Sequence, residues 1–374
     1  MLMIYYAFLA TTALLLTVVW ARLRTTFRLF RLPTNSADTA TAEDALPSVS
    51  LCIPARDETH AMTTCLEEAL LSRYPKLEII VLDDGSRDNT SHLIKSFAHA
   101  GVRFVEGTRL PTDWLGKNHA LEGLLREASG TYVLFADVDT RLSQDSIGQL
   151  VDYALATQAD MVSVLPLRHK SDRASAILAT LRHFWNIVGH SKASPAVASN
   201  AWMIKRSIMT ETFNGFANVA IDVRPEKSIA RKVSKDGCYR FIISTPKLGV
   251  WYEKKLSSQY ETAQRIYYPD FGLAGVLLRT AGLIVVISPY VIIITASIQL
   301  QLAPVVLAGL LIVTISALNS WYLGVLRTNS SLVASVVLPY IVVREIYLLL
   351  HSVYLYRRGV VVWKGRPVQL SRQP

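Results

Sequence analysis

The chain has 374 residues, 51% of them hydrophobic, and a formal net charge of +10, with a mean hydropathy of +0.29. That length is too great for one small domain and that apolar content too high for an ordinary soluble enzyme, so the hydrophobic residues must be concentrated in membrane segments. The positive charge does not argue for nucleic acid: no nucleic-acid-binding module is recognisable, and Arg22, Arg24, Arg28, Arg31, Arg357, Arg358, Lys364, Arg366 and Arg372 flank apolar stretches, where they would hold helices against anionic headgroups.

In chain order, Met3 to Trp20 carries no charge and has its arginines behind it rather than before it. It is therefore expected to stay as an anchor (residues 1–24), not to be cleaved as a signal peptide. The positive-inside rule then places Met1 outside and the following domain in the cytoplasm, at the plasma membrane. A polar linker over 25–47, including Pro33 to Pro47, comes next.

From Ser48 the pattern alternates. Val49 to Ile53 has the composition of a buried strand, Met62 to Leu71 of a helix, Leu77 to Leu82 of a strand and Thr90 to Ala98 of a helix. Val102 to Val105 is a third strand, Asn118 to Ala128 a helix and Tyr132 to Ala136 a fourth strand. This predicts an α/β domain over 48–265, a Rossmann-like and mostly parallel sheet with ligands beyond the carboxyl ends of its strands. The odd count of cysteines, Cys52, Cys65 and Cys238, without metal-ligand spacing, indicates reduced structural thiols.

A C-terminal membrane region is expected over 266–356. Phe271 to Ala281, with Arg279, is predicted to be interfacial, and Gly282 to Ile298 and Pro304 to Trp321 to be spans. Leu332 to Tyr356 is a third apolar region, interrupted by Pro339 and by Arg344–Glu345. Three complete crossings would put the basic tail, 357–374, outside, against the charge rule. One segment, near Arg344–Glu345, is therefore expected to be interfacial or re-entrant.

Four polar clusters fall at strand or helix ends: Pro54–Ala55–Arg56–Asp57–Glu58, Asp83–Asp84–Gly85–Ser86, Trp114–Leu115–Gly116–Lys117–Asn118 and Asp137–Val138–Asp139. The last has the plainest chemical purpose. Two carboxylates separated by one residue can meet a hard cation with oxygen ligands while leaving positions open for substrate phosphates.

In these residues, their order and their spacing, the chain resembles the family 2 inverting glycosyltransferases with the GT-A fold. The resemblance implies a nucleotide-sugar donor, a UDP-sugar by first expectation, surrounded by Pro54, Ala55, Asp57, Glu58, Asp83, Asp84 and Lys117. Asp57, Glu58 and Asp84 would face the nucleoside and Lys117 the phosphates. Asp137 and Asp139 would hold Mg²⁺ or Mn²⁺ against the diphosphate. A narrower resemblance, carried by Trp114 to Ala120, the apolar ends and Gly359 to Arg366, is to lipid-directed members such as carotenoid-acid and hopene-associated transferases. It implies a lipid or isoprenoid acceptor. Trp363–Lys364–Gly365–Arg366 would then be either an interfacial anchor or part of an acceptor or sugar site, and Trp202 lies where relatives form the acceptor pocket.

The Q-x-x-R-W signature of processive synthases is absent from Gln259 to Tyr267, which favours transfer of a single sugar over polymer synthesis. Inversion needs a base for the acceptor hydroxyl. The aligned position holds Pro225–Glu226 rather than paired acids, so Glu226 is the first candidate and Asp222 the second. A short glycan synthase and a catalytically impaired nucleotide-sugar-binding scaffold are the competing expectations.

Overall fold

The computed structural model describes residues 1–31, 45–168, 173–178, 181, 183–328 and 331–368. Residues 32–44 of the expected linker and 369–374 of the basic tail lie outside them. The chain forms two compact units: Met1–Leu29, Lys170–Val188 and Lys254–Val361 make one, and Phe30–His169, Gly189–Glu253 and Val362–Pro374 the other.

The second unit is an α/β domain. Strands β1 (Val49–Ala55), β2 (Leu77–Asp83), β3 (Val102–Glu106) and β4 (Tyr132–Ala136) alternate with helices α2 (Thr59–Leu70), α3 (Thr90–Ser96) and α4 (Gly116–Glu127). After β4 come β5 (Thr140–Leu142), α5 (Ser146–Ala156), β6 (Met161–Leu165), β7 (Leu167–Arg168), β8 (Ala201–Lys205), α8 (Pro225–Asp236), β9 (Tyr239–Ile243) and β10 (Val250–Tyr252). The main sheet has seven strands in the order β3-β2-β1-β4-β8-β6-β9. Only β8 runs antiparallel to its neighbours, β4 and β6. A small sheet, β5-β10-β7, stands beside it.

The apolar runs decide the register. β4 is buried along its whole length and β1 everywhere but at Pro54, as expected for strands covered on both faces. Val49, Leu51, Ile53, Met62, Leu66, Val81, Leu134, Ile147 and Leu150 meet in one core. Pro54, expected just beyond the strand, is inside it. Pairing of β1 with β4 ends at Cys52 while pairing with β2 runs on to Ala55, and a residue without an N–H can close the ladder on one side. Burial pushes the Cys65 thiol up to about 12, so it packs as a protonated apolar group.

The first unit is helical. It contains α1 (Leu2–Leu29), α6 (Arg173–Leu178), α7 (Phe184–Val188), α9 (Leu256–Ile298), α10 (Leu302–Val325), α11 (Ser331–Val336) and α12 (Leu338–Arg358). Among the described residues, α1, α9, α10 and α12 are long and apolar enough to cross a membrane. Tyr5 and Leu9 of α1 pack on Ile292, Ala296 and Ala308, and Phe27 meets the edge of Trp321 at 5.6 Å. Met3, Leu278, Leu302 and Val313 are instead exposed, as lipid-facing side chains are.

Two sequence expectations for this region change. The helix through Phe271–Ala281 continues into the next apolar stretch without a break at Gly282. Its one interruption is Gly272, whose φ of 64° and ψ of 175° belong to a region open essentially to glycine alone. Arg279 is accommodated within the helix by stacking on Phe271 at 3.7 Å and Trp185 at 5.4 Å. The C-terminal break falls at Val337, not at Arg344–Glu345, and Pro339 lies in the first turn of α12, where its missing N–H costs nothing. α12 runs through the charged pair, and each member has partners of its own within this unit. Glu345 accepts hydrogen bonds from Tyr267 Oη at 2.7 Å and Trp185 Nε1 at 3.0 Å. Arg344 donates to Tyr260 Oη at 3.1 Å and to the Leu178 carbonyl.

Candidate active site

The strand order creates the crevice. From β1 the chain builds outward through β2 to β3, then returns to lay β4 on the other side of β1. The loops after β1 and β4 therefore diverge, and a doubly wound sheet binds ligands at such a switch point. The first of these loops carries Asp57 and Glu58, and the second Asp137 and Asp139.

The Asp137–Asp139 turn is held by backbone hydrogen bonds and by neighbouring residues. Asp137 N–H donates to the Asn200 carbonyl at 3.0 Å, Thr140 N–H to the Asp137 carbonyl at 2.9 Å, and Glu253 N–H to the Asp139 carbonyl at 2.9 Å. Thr140 Oγ1 also donates to the Asn200 carbonyl, at 2.8 Å. Buried Arg141 donates to the Val138 carbonyl at 2.8 Å. The turn thus joins β4 of the main sheet to β5 of the small one, with both ends fixed.

Lys117, at the start of α4, places Nζ 2.5 Å from Asp137 Oδ1. This carboxylate already faces a cation. No group of three His, Cys, Asp or Glu able to hold a metal exists among the described residues, so the chain offers two carboxylate residues and leaves further positions to other ligands. That donor set fits Mg²⁺ or Mn²⁺, which keep several waters and complete their shell with substrate phosphates.

The candidate base is tied to the same turn. Pro225 opens α8 and Glu226 follows in its first turn, 3% exposed. Its Oε1 accepts a hydrogen bond from Ser199 Oγ at 2.6 Å and one from Arg224 Nε at 3.2 Å. Ser199 and Asn200 are adjacent, so one dipeptide touches both Glu226 and the backbone of Asp137. Asp222 accepts from Ser228 Oγ at 2.5 Å. Burial raises its pKa above the ordinary carboxylate value, and the nearby charge of Glu226 adds to the rise. Asn118 secures this segment to α4, its Nδ2 donating to the carbonyls of Val219, Ala220 and Asp222 at 2.8–2.9 Å.

At the β1 and β2 ends the acids are already engaged. Asp57, with φ of 51°, accepts from Arg87 N–H at 2.7 Å and donates its own N–H to Ser86 Oγ at 2.9 Å. Asp83 caps the next turn, accepting from Ser86 N–H at 3.2 Å and from the Ser86 hydroxyl. Glu58 pairs with Lys364 Nζ at 2.9 Å, and Asp84 with Arg366 Nη1 at 2.5 Å. Asp84 is nearly buried. Burial raises its pKa, while Arg366, Arg56 and His119 pull the other way.

Trp202 is not at an opening. It is 2% exposed on β8 and packs against Phe135 at 4.4 Å and Phe216 at 6.2 Å. Both faces of β8 are covered, so its indole offers no exposed surface on which an acceptor could stack. Ser199, Asn200 and Arg141 were not singled out as site residues in the sequence. Asn118 entered only within the Trp114–Asn118 cluster, and Lys364 and Arg366 only within Trp363–Arg366, read as either an interfacial anchor or part of an acceptor or sugar site.

Comparison with known proteins accords with this geometry. The sequence model of the family described as "Glycosyl transferase family 2" matches residues 50–219. The 4,4'-diaponeurosporenoate glycosyltransferase of Staphylococcus aureus (strain USA300) is 28% identical over 144 residues, 38% of this chain and 37% of the relative's length. The chain thus matches little more than a third of that relative. The mannosyltransferase PcManGT from Pyrobaculum calidifontis, solved with GDP-Man and Mn2+, superposes with a TM-score of 0.58 at 19% identity, covering 94% of this chain and 98% of that one. The fold is of the GT-A type. Over residues 50–219, less than half of its length, the chain is similar to the glycosyltransferases of family 2.

Proposed function

We propose that the chain transfers a single sugar, with inversion, from a nucleotide-sugar to a lipid or isoprenoid acceptor at a membrane. The observation that carries this reading is the Ser199–Asn200 bridge, which sets a buried carboxylate beside a two-aspartate turn at the switch point. Asp57, Glu58 and Asp84 would receive the nucleoside, a UDP-sugar by preference, with Pro54, Ala55 and Asp83 shaping that wall. Lys117 would meet the diphosphate. Asp137 and Asp139 would hold a divalent cation, which when bound supplies positive charge to the leaving diphosphate. The acceptor oxygen attacks the anomeric carbon from the face opposite the diphosphate, its proton passes to Glu226, and the carbon–oxygen bond to phosphate breaks. One displacement inverts the centre. The carotenoid acid in the Staphylococcus relative's name and the four long apolar helices support a hydrophobic acceptor.

Incubating purified full-length protein with UDP-glucose or GDP-mannose, Mn²⁺ and a carotenoid acid or polyprenyl phosphate tests the reading. The expected product, read by mass spectrometry, is the acceptor plus one hexose. Products with many sugars would replace it with a glycan synthase, and neither donor hydrolysis nor transfer would leave a scaffold.

The location follows from the same reading. A hairpin at Val362–Pro367 belongs to the catalytic unit, so the chain between Glu253 and Val362 must cross the bilayer an even number of times. We assign the crossings to α9 and α10 and an interfacial or re-entrant position to α12. Its mean hydropathy is 1.3, against 2.3 and 2.2 for α9 and α10, and it contains Arg344 and Glu345. The catalytic unit and tail then share the cytoplasmic face of the plasma membrane. A cysteine placed at Ser371 is expected to resist a membrane-impermeant thiol reagent in intact cells; labelling would show three complete crossings.

A further inference from the structure

Residues 362–367 form a tight hairpin of two short strands, β11 (Val362–Trp363) and β12 (Arg366–Pro367). Val362 pairs with Pro367 and Trp363 with Arg366. Lys364 and Gly365 are the two-residue loop, with φ of 48° and 74°. Positive φ at both positions is the geometry of the hairpin turn that suits twisted strands. The turn aims two cations in one direction, into the strand-end acids of the donor site.

The contacts are several and mutually dependent. Lys364 Nζ bonds Glu58 Oε1 at 2.9 Å and the Asp57 carbonyl at 3.0 Å. Arg366 donates to Asp84 Oδ2 at 2.5 Å and to the Asp84 carbonyl at 3.3 Å. Arg56, itself 7% exposed, links the two sides. It donates through Nε to the Lys364 carbonyl at 3.2 Å and through Nη1 to the carbonyls of Asp84 and Gly85. Gly116, opening α4, leaves the room: a Cβ there would lie 2.5 Å from Arg366 Nη1 and 3.0 Å from Asp84 Oδ2.

We propose that this hairpin is a working part of the donor site, in which Arg366 and Lys364 orient Asp84 and Glu58 to accept hydrogen bonds from the nucleoside of a nucleoside diphosphate. The proposal rests on the donor reading above. The carboxylates of Asp57, Glu58, Asp83 and Asp84 would otherwise repel an anionic ligand, and the two cations paired with Glu58 and Asp84 offset part of that charge. Arg366 engages Oδ2, which leaves the other oxygen to a ribose hydroxyl or a base N–H. Arg366 and Lys364 are positioning residues, acting through the carboxylates they hold.

Binding of UDP and of GDP, with Mn²⁺, to the detergent-purified full chain, measured by titration calorimetry from pH 5 to 8, tests the proposal. Arg366→Ala is expected to weaken binding about tenfold or more, the scale of a lost charge-assisted contact. Its affinity should also fall more steeply toward pH 5 than the wild type's. Burial already raises the Asp84 carboxyl, and without Arg366 only Arg56 and His119 remain to oppose protonation. Arg366→Lys should recover the wild-type pH profile. Lys364→Ala, which removes the Glu58 pair and leaves Gly365 to make the turn, should weaken binding severalfold, and Arg358→Ala should change nothing. Wild-type affinity and a matching pH profile in Arg366→Ala would make the tail a membrane anchor and overturn the proposal. No binding of either nucleotide by the wild-type chain would remove the donor reading and this proposal with it.

Discussion

Asp139→Ala should abolish transfer, by on the order of 10³-fold or more, in a protein that remains folded and in the membrane. The turn owes its shape to the backbone bonds of Asp137, Thr140 and Glu253 and to Arg141 on the Val138 carbonyl, none of which uses the Asp139 side chain. On the proposed reading the substitution removes a ligand for the cation, whose charge stabilisation of a leaving diphosphate is worth several kcal/mol, each about 1.4 kcal/mol being tenfold in rate. Asp137→Ala should be as inactive but is a less clean test, because it also strips Lys117 of its partner at 2.5 Å. The assay is initial-rate transfer with Mn²⁺, with circular dichroism as the control on folding. Full activity of Asp139→Ala, or of the wild type after exhaustive chelation, would sink the metal assignment.

Glu226→Gln should reduce turnover by about 10²–10⁴-fold, the usual contribution of a positioned general base, while nucleotide affinity is kept. The amide preserves the size of the side chain, and its oxygen can still accept from Ser199 and Arg224 at Oε1, so the site should keep its shape and lose only its basicity. Glu226→Asp shortens the reach by one methylene and should lose activity in part. Asp222→Asn should be much milder, since that side chain is occupied by Ser228 at 2.5 Å. The ranking is to be read at saturating donor with a hydroxyl acceptor. A near-normal Glu226→Gln beside an inactive Asp222→Asn would move the role to Asp222. A carboxylic acid acceptor is already ionised at pH 7 and needs no base, so both variants should then stay active.

The elements visible in advance were those with local causes. Tyr132–Ala136 was legible to the residue because five consecutive apolar side chains between a Gly–Thr step and an acidic cluster have few other uses. The two-aspartate turn was legible for the same reason, as polar residues placed directly after a buried strand. Trp202 was placed by its position in the chain, and its burial was not visible there: β8 is an interior strand whose Ala201, Met203 and Ile204 are buried as well. The charged pair in α12 was expected to break the helix. Its partners, Tyr267 and Trp185, lie 78 and 160 residues away, and no periodicity within 338–358 reveals them. The same holds for Arg366 and Asp84, 282 positions apart. The Trp363–Arg366 motif stood out in the sequence, but neither its hairpin nor the acids that it meets did.

That separation bears on how the protein is made. Domains generally fold as they are synthesised, the N-terminal part first, and residues 45–253 emerge before any of the helices α9 to α12. Yet the carboxylates at 58 and 84 meet their cations, at 364 and 366, only after all of those helices have been translated. A chain cut after Val361 would keep each apolar helix and the whole seven-stranded sheet, and would insert as the full chain does, but would lack the partners of Glu58 and Asp84. If these acids receive the donor as proposed, tight nucleotide binding would report a molecule whose long apolar helices have already been translated.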